Sequence, residues 1–136
     1  MLTRPTTEQV LVGIADELRD TVAPEVQSEP VKVLLAQIDQ ILRSCAIRAA
    51  HETAWIHDEA DTIAAVTGTD VGWPASLHLD DVASWYDATS RVLSAALDDA
   101  FAAGDANRIA ELKLLLDARS ATEMKIVGAL ELVGRG

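Results

Sequence analysis

The sequence predicts an all-α protein, an antiparallel helical bundle of about four helices in which the second helix is unusually long. Apolar residues recur at intervals of three and four along most of the 136 residues, and no segment shows the alternation of a strand. Four such runs are separated by three short breaks, and short connections favour antiparallel neighbours. The length predicts a single domain, residues 1–136.

The first helix has a clear start and a clear stop. Thr6 and Gln9 have the spacing of a capping box, in which each side chain bonds the other residue's backbone N–H. The apolar series that follows is helical until Pro24. We therefore predict a helix from about Thr7 to Ala23.

The second helix is predicted to begin at Ser28, Glu29 and Pro30, because a capping residue followed closely by proline is a start signal. Its apolar stripe continues without a break to Gly68, well beyond the length of the first helix. Part of this stripe therefore needs other cover, and a second copy or a different subunit is expected to supply it. Cys45 lies in this series and is expected to be a buried thiol.

Two further helices follow a loop at residues 68–76. The third is predicted to begin near Leu79 and to end at Gly104, with an apolar stripe that includes Phe101. Asp105 is the expected N-cap of the fourth helix. The predicted inward face of that helix is Ile109, Leu112, Leu116, Ile126, Val127, Leu130 and Val133.

The negative charge is concentrated in the middle of the chain. The formal net charge is -11, and the segment from His51 to Asn107 holds eleven acidic residues against one base, Arg91. Phosphate binding needs clustered lysine and arginine, so nucleic acid and anionic membranes are not expected partners. No apolar run approaches the roughly 18 to 20 residues of a membrane span, and a lone cysteine fits a reducing compartment, so a cytoplasmic location is expected.

The same segment holds every histidine and tryptophan of the chain, which makes it the candidate interaction region. Aromatic rings rimmed by carboxylates favour recognition of a neutral or basic protein surface. Trp73 lies in the loop, where a helical core does not easily absorb it, although it is also suited to plugging the end of the bundle. The candidate interaction residues are Glu52, Trp55, Asp58, Glu59, Trp73 and Trp85. Equally, Trp55 and Trp85 fit the wide end of a core.

The histidines define an alternative site, for a ligand or for catalysis. His51 and His57 are six residues apart and diverge by about 120° around a helix, so they cannot chelate one ion alone. His57 and Asp61 share a face at four residues' spacing. No catalytic motif or phosphate-binding loop is present, so no metal, cofactor or catalytic residue is predicted. The sequence leaves an enzyme open and favours a non-catalytic protein.

The order of elements resembles a bacterial family of small helical domains. These domains accompany aminoglycoside-phosphotransferase-like kinases that act on hydroxyacyl-CoA compounds. The segments that carry the likeness are Arg4-Pro5-Thr6, Val22-Ala23-Pro24-Glu25-Val26, the run from Val33 to Leu42, Ala103-Gly104-Asp105 and Lys125-Ile126-Val127. The resemblance implies a non-catalytic accessory subunit with a kinase-like partner. A small-ligand or metal-binding enzyme and a structural homodimer are the alternatives.

Overall fold

The computed structural model describes residues 4–127, and the regular secondary structure in that range is entirely helical. This confirms the predicted all-α bundle with a long second helix. The helices are α1 (Thr7–Glu17), α2 (Glu29–Thr67), α3 (Leu79–Ala103) and α4 (Ala106–Val127), and a π-helical turn (Leu18–Val22) and a short helical turn (Ala23–Glu25) follow α1.

The described residues divide into two compact units. The first contains residues up to Glu52 together with those from Glu123 onward, and the second is Thr53–Thr122. The division falls within α4 and within α2, which has 39 residues and is about 58 Å long at 1.5 Å per residue. The prediction of one domain over residues 1–136 stays a prediction.

The predicted helix ends are largely confirmed. The Thr6 side chain accepts a hydrogen bond from the Gln9 backbone, and the Gln9 side chain accepts one from the Thr6 backbone, which completes the capping box. The first α-helix ends at Glu17, earlier than the predicted Ala23, and the π-helical turn and the short helical turn that contains Pro24 continue to Glu25. Gly104 ends α3 with a φ of 66°, and Asp105 accepts from the Arg108 backbone N–H at 3.0 Å.

The second unit is built on an aliphatic core. Its buried cluster joins one residue of α2, two of α3 and two of α4, namely Ile63, Leu93, Ala100, Leu112 and Leu115. Half-buried aliphatic residues pack against this cluster from all three helices. The cluster fixes the three helices of this unit against one another and so supports the loop between α2 and α3.

Two residues that were predicted on the inward faces of α3 and α4 are exposed to solvent instead. Phe101 is 61% exposed because it directly follows the buried Ala100, and neighbours on a helix point about 100° apart. Leu116 is 37% exposed, whereas Leu115 is 7% exposed. The inward face of α4 is centred between Leu112 and Leu115, which leaves Leu116 at its margin. Leu130 and Val133, also predicted on this face, lie outside the described residues.

The first unit has a much thinner core. Among its described side chains, Ala15 and Ala46 alone are buried, and both are small. An ion pair adds to this packing, since Arg43 donates to Asp39 at 2.9 Å and to Asp16 on α1 at 2.8 Å. These hydrogen bonds raise the pKa of the Arg43 guanidinium, which therefore stays charged.

The prediction of a buried thiol was wrong, because Cys45 is exposed. Its neighbour Ala46 takes the inward position of α2 instead.

Within residues 4–127, none of the helices combines the length and the apolar character of a membrane span.

Candidate interaction site

The loop between α2 and α3 positions Trp73 through local hydrogen bonds. The hydroxyl of Thr67, the last residue of α2, accepts from the Thr69 backbone N–H at 3.2 Å. Asp70 Oδ1 accepts from the Gly72 backbone N–H at 2.7 Å, the short-range bond typical of an Asx turn. Gly72 has a φ of 72°, a conformation that glycine adopts without strain. The turn therefore fixes the direction in which the chain enters Trp73.

Three rings from α2, the loop and α3 form a cluster, which we call the ring cluster: His57, Trp73 and Trp85. The ring centroids of His57 and Trp73 are 4.5 Å apart. The two indoles lie within 10° of parallel with centroids 6.1 Å apart, within the range of offset-stacked aromatic pairs. Trp73 nevertheless remains 70% exposed. It is therefore an ordered aromatic side chain on the surface and not a plug in a core.

Carboxylates surround the imidazole of the ring cluster. His57 Nδ1 lies 3.6 Å from Asp61 Oδ2, as the spacing of four residues predicts, and 3.9 Å from Asp58 Oδ1. The two aspartate side chains are 71% and 80% exposed, so their charges face solvent. The rings thus lie beside a negatively charged rim, which is the arrangement that the sequence predicts for an interaction surface.

A cleft of about 140 Å³ opens beside the two indoles, and we call it the tryptophan cleft. Its lining comes from α2, the loop and α3, and consists of Ala60, Asp61, Ala64, Thr69, Asp70, Val71, Gly72, Trp73, Trp85, Thr89 and Val92. Two of these residues are aspartates, and none is a lysine or an arginine. The cleft therefore combines apolar walls and aromatic rings with negative charge.

Trp85, one of the residues that line the cleft, carries a polar atom that is itself buried. Trp85 Nε1 is buried and makes no hydrogen bond with the described residues. A buried donor without an acceptor costs about 1 to 3 kcal/mol.

Glu59 belongs to a separate cluster, which we call the Glu59–Arg119 cluster. Arg119 Nε donates to Glu59 Oε1 at 2.6 Å, and Arg119 Nη2 donates to Ser90 Oγ at 3.1 Å. The guanidinium lies 5.2 Å from the centroid of the Tyr86 ring, and the Tyr86 hydroxyl donates to Glu59 Oε2 at 3.4 Å. The side chains of Glu59 and Arg119 are only 20% and 22% exposed. This carboxylate therefore joins α2 to α4 through an internal ion pair.

The remaining predicted site residues are spread over both units. Glu52 lies in the first unit, where it accepts from Arg48 at 2.8 Å. Trp55 is half-buried in the second unit. His51 is exposed and belongs to the first unit, whereas His57 belongs to the second. The structure thus brings together His57, Asp58, Trp73 and Trp85, and does not place His51 in their unit.

Two residues that shape this region, Asp70 and Arg119, are not among the site residues predicted from the sequence. Asp70 lines the cleft and orders the loop, and its separation by one residue from Gly72 is a recognisable Asx-turn pattern. Arg119, which pairs with Glu59, is the second of these residues. Its position four residues after Leu115 and seven after Leu112 places it on the inward face of α4, where a charge needs a partner.

Comparison of the chain with protein-family models, with curated proteins and with solved structures finds no match. The family resemblance seen in the sequence therefore stays a prediction.

Among residues 4–127, no three histidine, cysteine or acidic side chains are grouped closely enough to hold a metal ion.

Proposed function

We propose that this protein is a non-catalytic interaction subunit, which docks on a basic partner protein through the ring cluster and its acidic rim. The observation that carries the proposal is Trp73, whose indole contacts two other rings and is still 70% exposed. Tryptophan is among the residues most enriched at the energetic centres of interfaces. Because the turn and the ring contacts already restrict this side chain, binding orders it at little further entropic cost.

Charge supports the same assignment. The second unit contains twelve acidic residues and four bases. The exposed Asp58 and Asp61 extend this negative field to the edge of the ring cluster. Such a field accelerates encounter with a basic surface and selects against acidic ones.

The partner that we propose is an aminoglycoside-phosphotransferase-like kinase acting on hydroxyacyl-CoA compounds. Its support is the family resemblance, together with the acidic and aromatic character of the ring cluster. In this arrangement the kinase binds the nucleotide and the acyl-CoA and performs the phosphoryl transfer. The present chain contributes a docking surface.

Sedimentation of the chain mixed with such a kinase from the same source tests the proposal. We expect a complex that Trp73→Ala weakens about thirtyfold, the change that corresponds to about 2 kcal/mol for a central interface tryptophan. Phe101→Ala is the matched control, because Phe101 is a comparably exposed aromatic residue, 61% exposed, near the far end of α3. This control leaves the affinity unchanged. A complex equally insensitive to both substitutions, or no complex, contradicts the proposal.

Self-association is a second candidate function, and an exposed stripe on α2 favours it. Val31, Leu34, Ile38, Ile41 and Cys45 follow the alternating spacing of three and four residues that is typical of a coiled-coil seam. Leu34 and Ile41 are 53% and 58% exposed in a unit whose buried described side chains are two alanines. A second copy of the chain can pack against this seam, because its own α2 carries apolar residues at the same spacing.

The residues that flank the seam are uncharged, which is compatible with pairing of two copies. In a coiled coil, the positions that flank the seam carry the charges which attract or repel the partner helix. Here Gln37 and Ser44 occupy two of these positions and Leu35 and Leu42 occupy two others, so none of the four is charged. Two copies of this acidic chain can therefore meet here without direct repulsion.

Replacing Ile41 by glutamate tests this candidate. We expect the isolated chain to sediment as a dimer and the Ile41→Glu variant as a monomer, since a buried unpaired carboxylate opposes association. Val33→Glu is the control, because Val33 is 42% exposed and lies off the seam. A monomeric parent chain at every concentration would rule out this function while leaving the docking proposal intact.

A further inference from the structure

The lining of the tryptophan cleft favours a positively charged group. Asp61 and Asp70 contribute carboxylates, and no lining residue is cationic. The cleft lies in the segment from His51 to Asn107, in which Arg91 is the one base among eleven acidic residues. An anion entering here meets repulsion, whereas a cation gains from two nearby carboxylates and from the wider field.

The volume of the cleft restricts the size of that cation. Pockets for drug-sized ligands and cofactors occupy about 300 to 1,000 Å³. At about 140 Å³, the tryptophan cleft is well below that range. It suits one amino-acid side chain from a protein partner, or a small organic ion of similar size.

The aromatic walls favour a flat cation over a compact one. The indoles of Trp73 and Trp85 lie within 10° of parallel, so they present similarly oriented faces. A guanidinium is planar and weakly hydrated, and it stacks on an indole while its N–H groups bond carboxylates. A lysine ammonium is strongly hydrated and cannot stack in this way.

We propose that the tryptophan cleft is the receptor for an arginine side chain of the partner protein. This inference rests on the proposed docking function and names the chemistry of the contact. The guanidinium stacks on the exposed indole of Trp73 and pairs with Asp61 and Asp70.

Titration of the isolated chain with N-acetyl-L-arginine amide tests the inference without any partner protein. The indole N–H resonances of Trp73 and Trp85 in nitrogen-15 NMR spectra are expected to shift and saturate, while that of Trp55, which does not line the cleft, stays unchanged. N-acetyl-L-citrulline amide is nearly the same shape without the charge. We expect it to bind at least about tenfold more weakly, the loss of roughly one cation–π contact with its ion pair.

Variants provide a second control. The Asp61→Asn, Asp70→Asn double variant removes both charges while keeping an amide oxygen to accept from Gly72, so the loop turn is retained. We expect it to weaken arginine binding about tenfold. Asp87→Asn removes one exposed charge of α3 that does not line the cleft, and leaves binding unchanged.

The outcomes separate this inference from the docking proposal. Equal binding of the arginine and citrulline probes, equal binding of N-acetyl-L-lysine amide, or no binding overturns the arginine assignment. If the kinase complex still depends on Trp73 in that case, the docking proposal stands without it. Saturable arginine binding by a chain that forms no complex with the kinase supports the cleft assignment and contradicts the proposed partner.

Discussion

Replacing Leu115 by alanine is expected to lower the free energy of unfolding by about 3 kcal/mol, whereas Leu114→Ala changes it by less than about 0.5 kcal/mol. Leu115 is 7% exposed and belongs to the buried cluster of the second unit. Its truncation leaves a cavity among Ile63, Leu93 and Leu112, whose positions are fixed by three helices. Leu114 is 66% exposed and loses few contacts.

Chemical denaturation of the two variants measures this difference. Both carry the same substitution at adjacent positions of α4, so helix propensity and composition cancel in the comparison. Leu116→Ala, at 37% exposure, is expected to fall between them. If Leu116→Ala costs more than Leu115→Ala, the inward face of α4 is the one predicted from the sequence, and the described packing is wrong.

Replacing Arg119 by alanine is expected to destabilise the second unit by about 2 to 3 kcal/mol, because the change leaves the Glu59 carboxylate, 20% exposed, without its cation. The same change removes the hydrogen bond to Ser90 and the contact with the Tyr86 ring. Arg91→Ala is the control, since Arg91 is exposed on α3, and it is expected to change stability by less than about 0.5 kcal/mol.

A double-mutant cycle isolates the ion pair within this effect. Glu59→Met and Arg119→Met are each expected to destabilise the unit, since each leaves the other charge half-buried and unpaired. The double variant is expected to be less destabilised than the sum by about 2 kcal/mol, because two apolar side chains of suitable length replace the pair. Additive losses would show that Glu59 and Arg119 are not coupled.

The helices could be predicted because their ends depend on local chemistry. The capping box at Thr6 and the left-handed glycine at position 104 each act within a few residues. The inward face of α4 could not be predicted from local chemistry. Leu114, Leu115 and Leu116 are chemically identical, and the choice among them depends on how α2 and α3 pack.

For the candidate site, too, the sequence predicts the local features but not the contacts between helices. The concentration of tryptophan and acid in one segment is visible in the sequence, and so is the pairing of His57 with Asp61. Which carboxylate faces the rings is not visible, because it depends on contacts between helices. Glu59 pairs with Arg119, 60 residues away, whereas Asp70 reaches the cleft through the turn that it caps.

The central claim is that the ring cluster and its acidic rim are the surface on which a partner docks. Hydrogen exchange of the chain alone and in its complex with the kinase tests this claim most directly. We expect binding to slow backbone exchange in residues 68–78 and in the first turns of α3, and to leave α1 unchanged. Slowing confined to α1 and residues 31–45, with the loop around Trp73 unaffected, would contradict it.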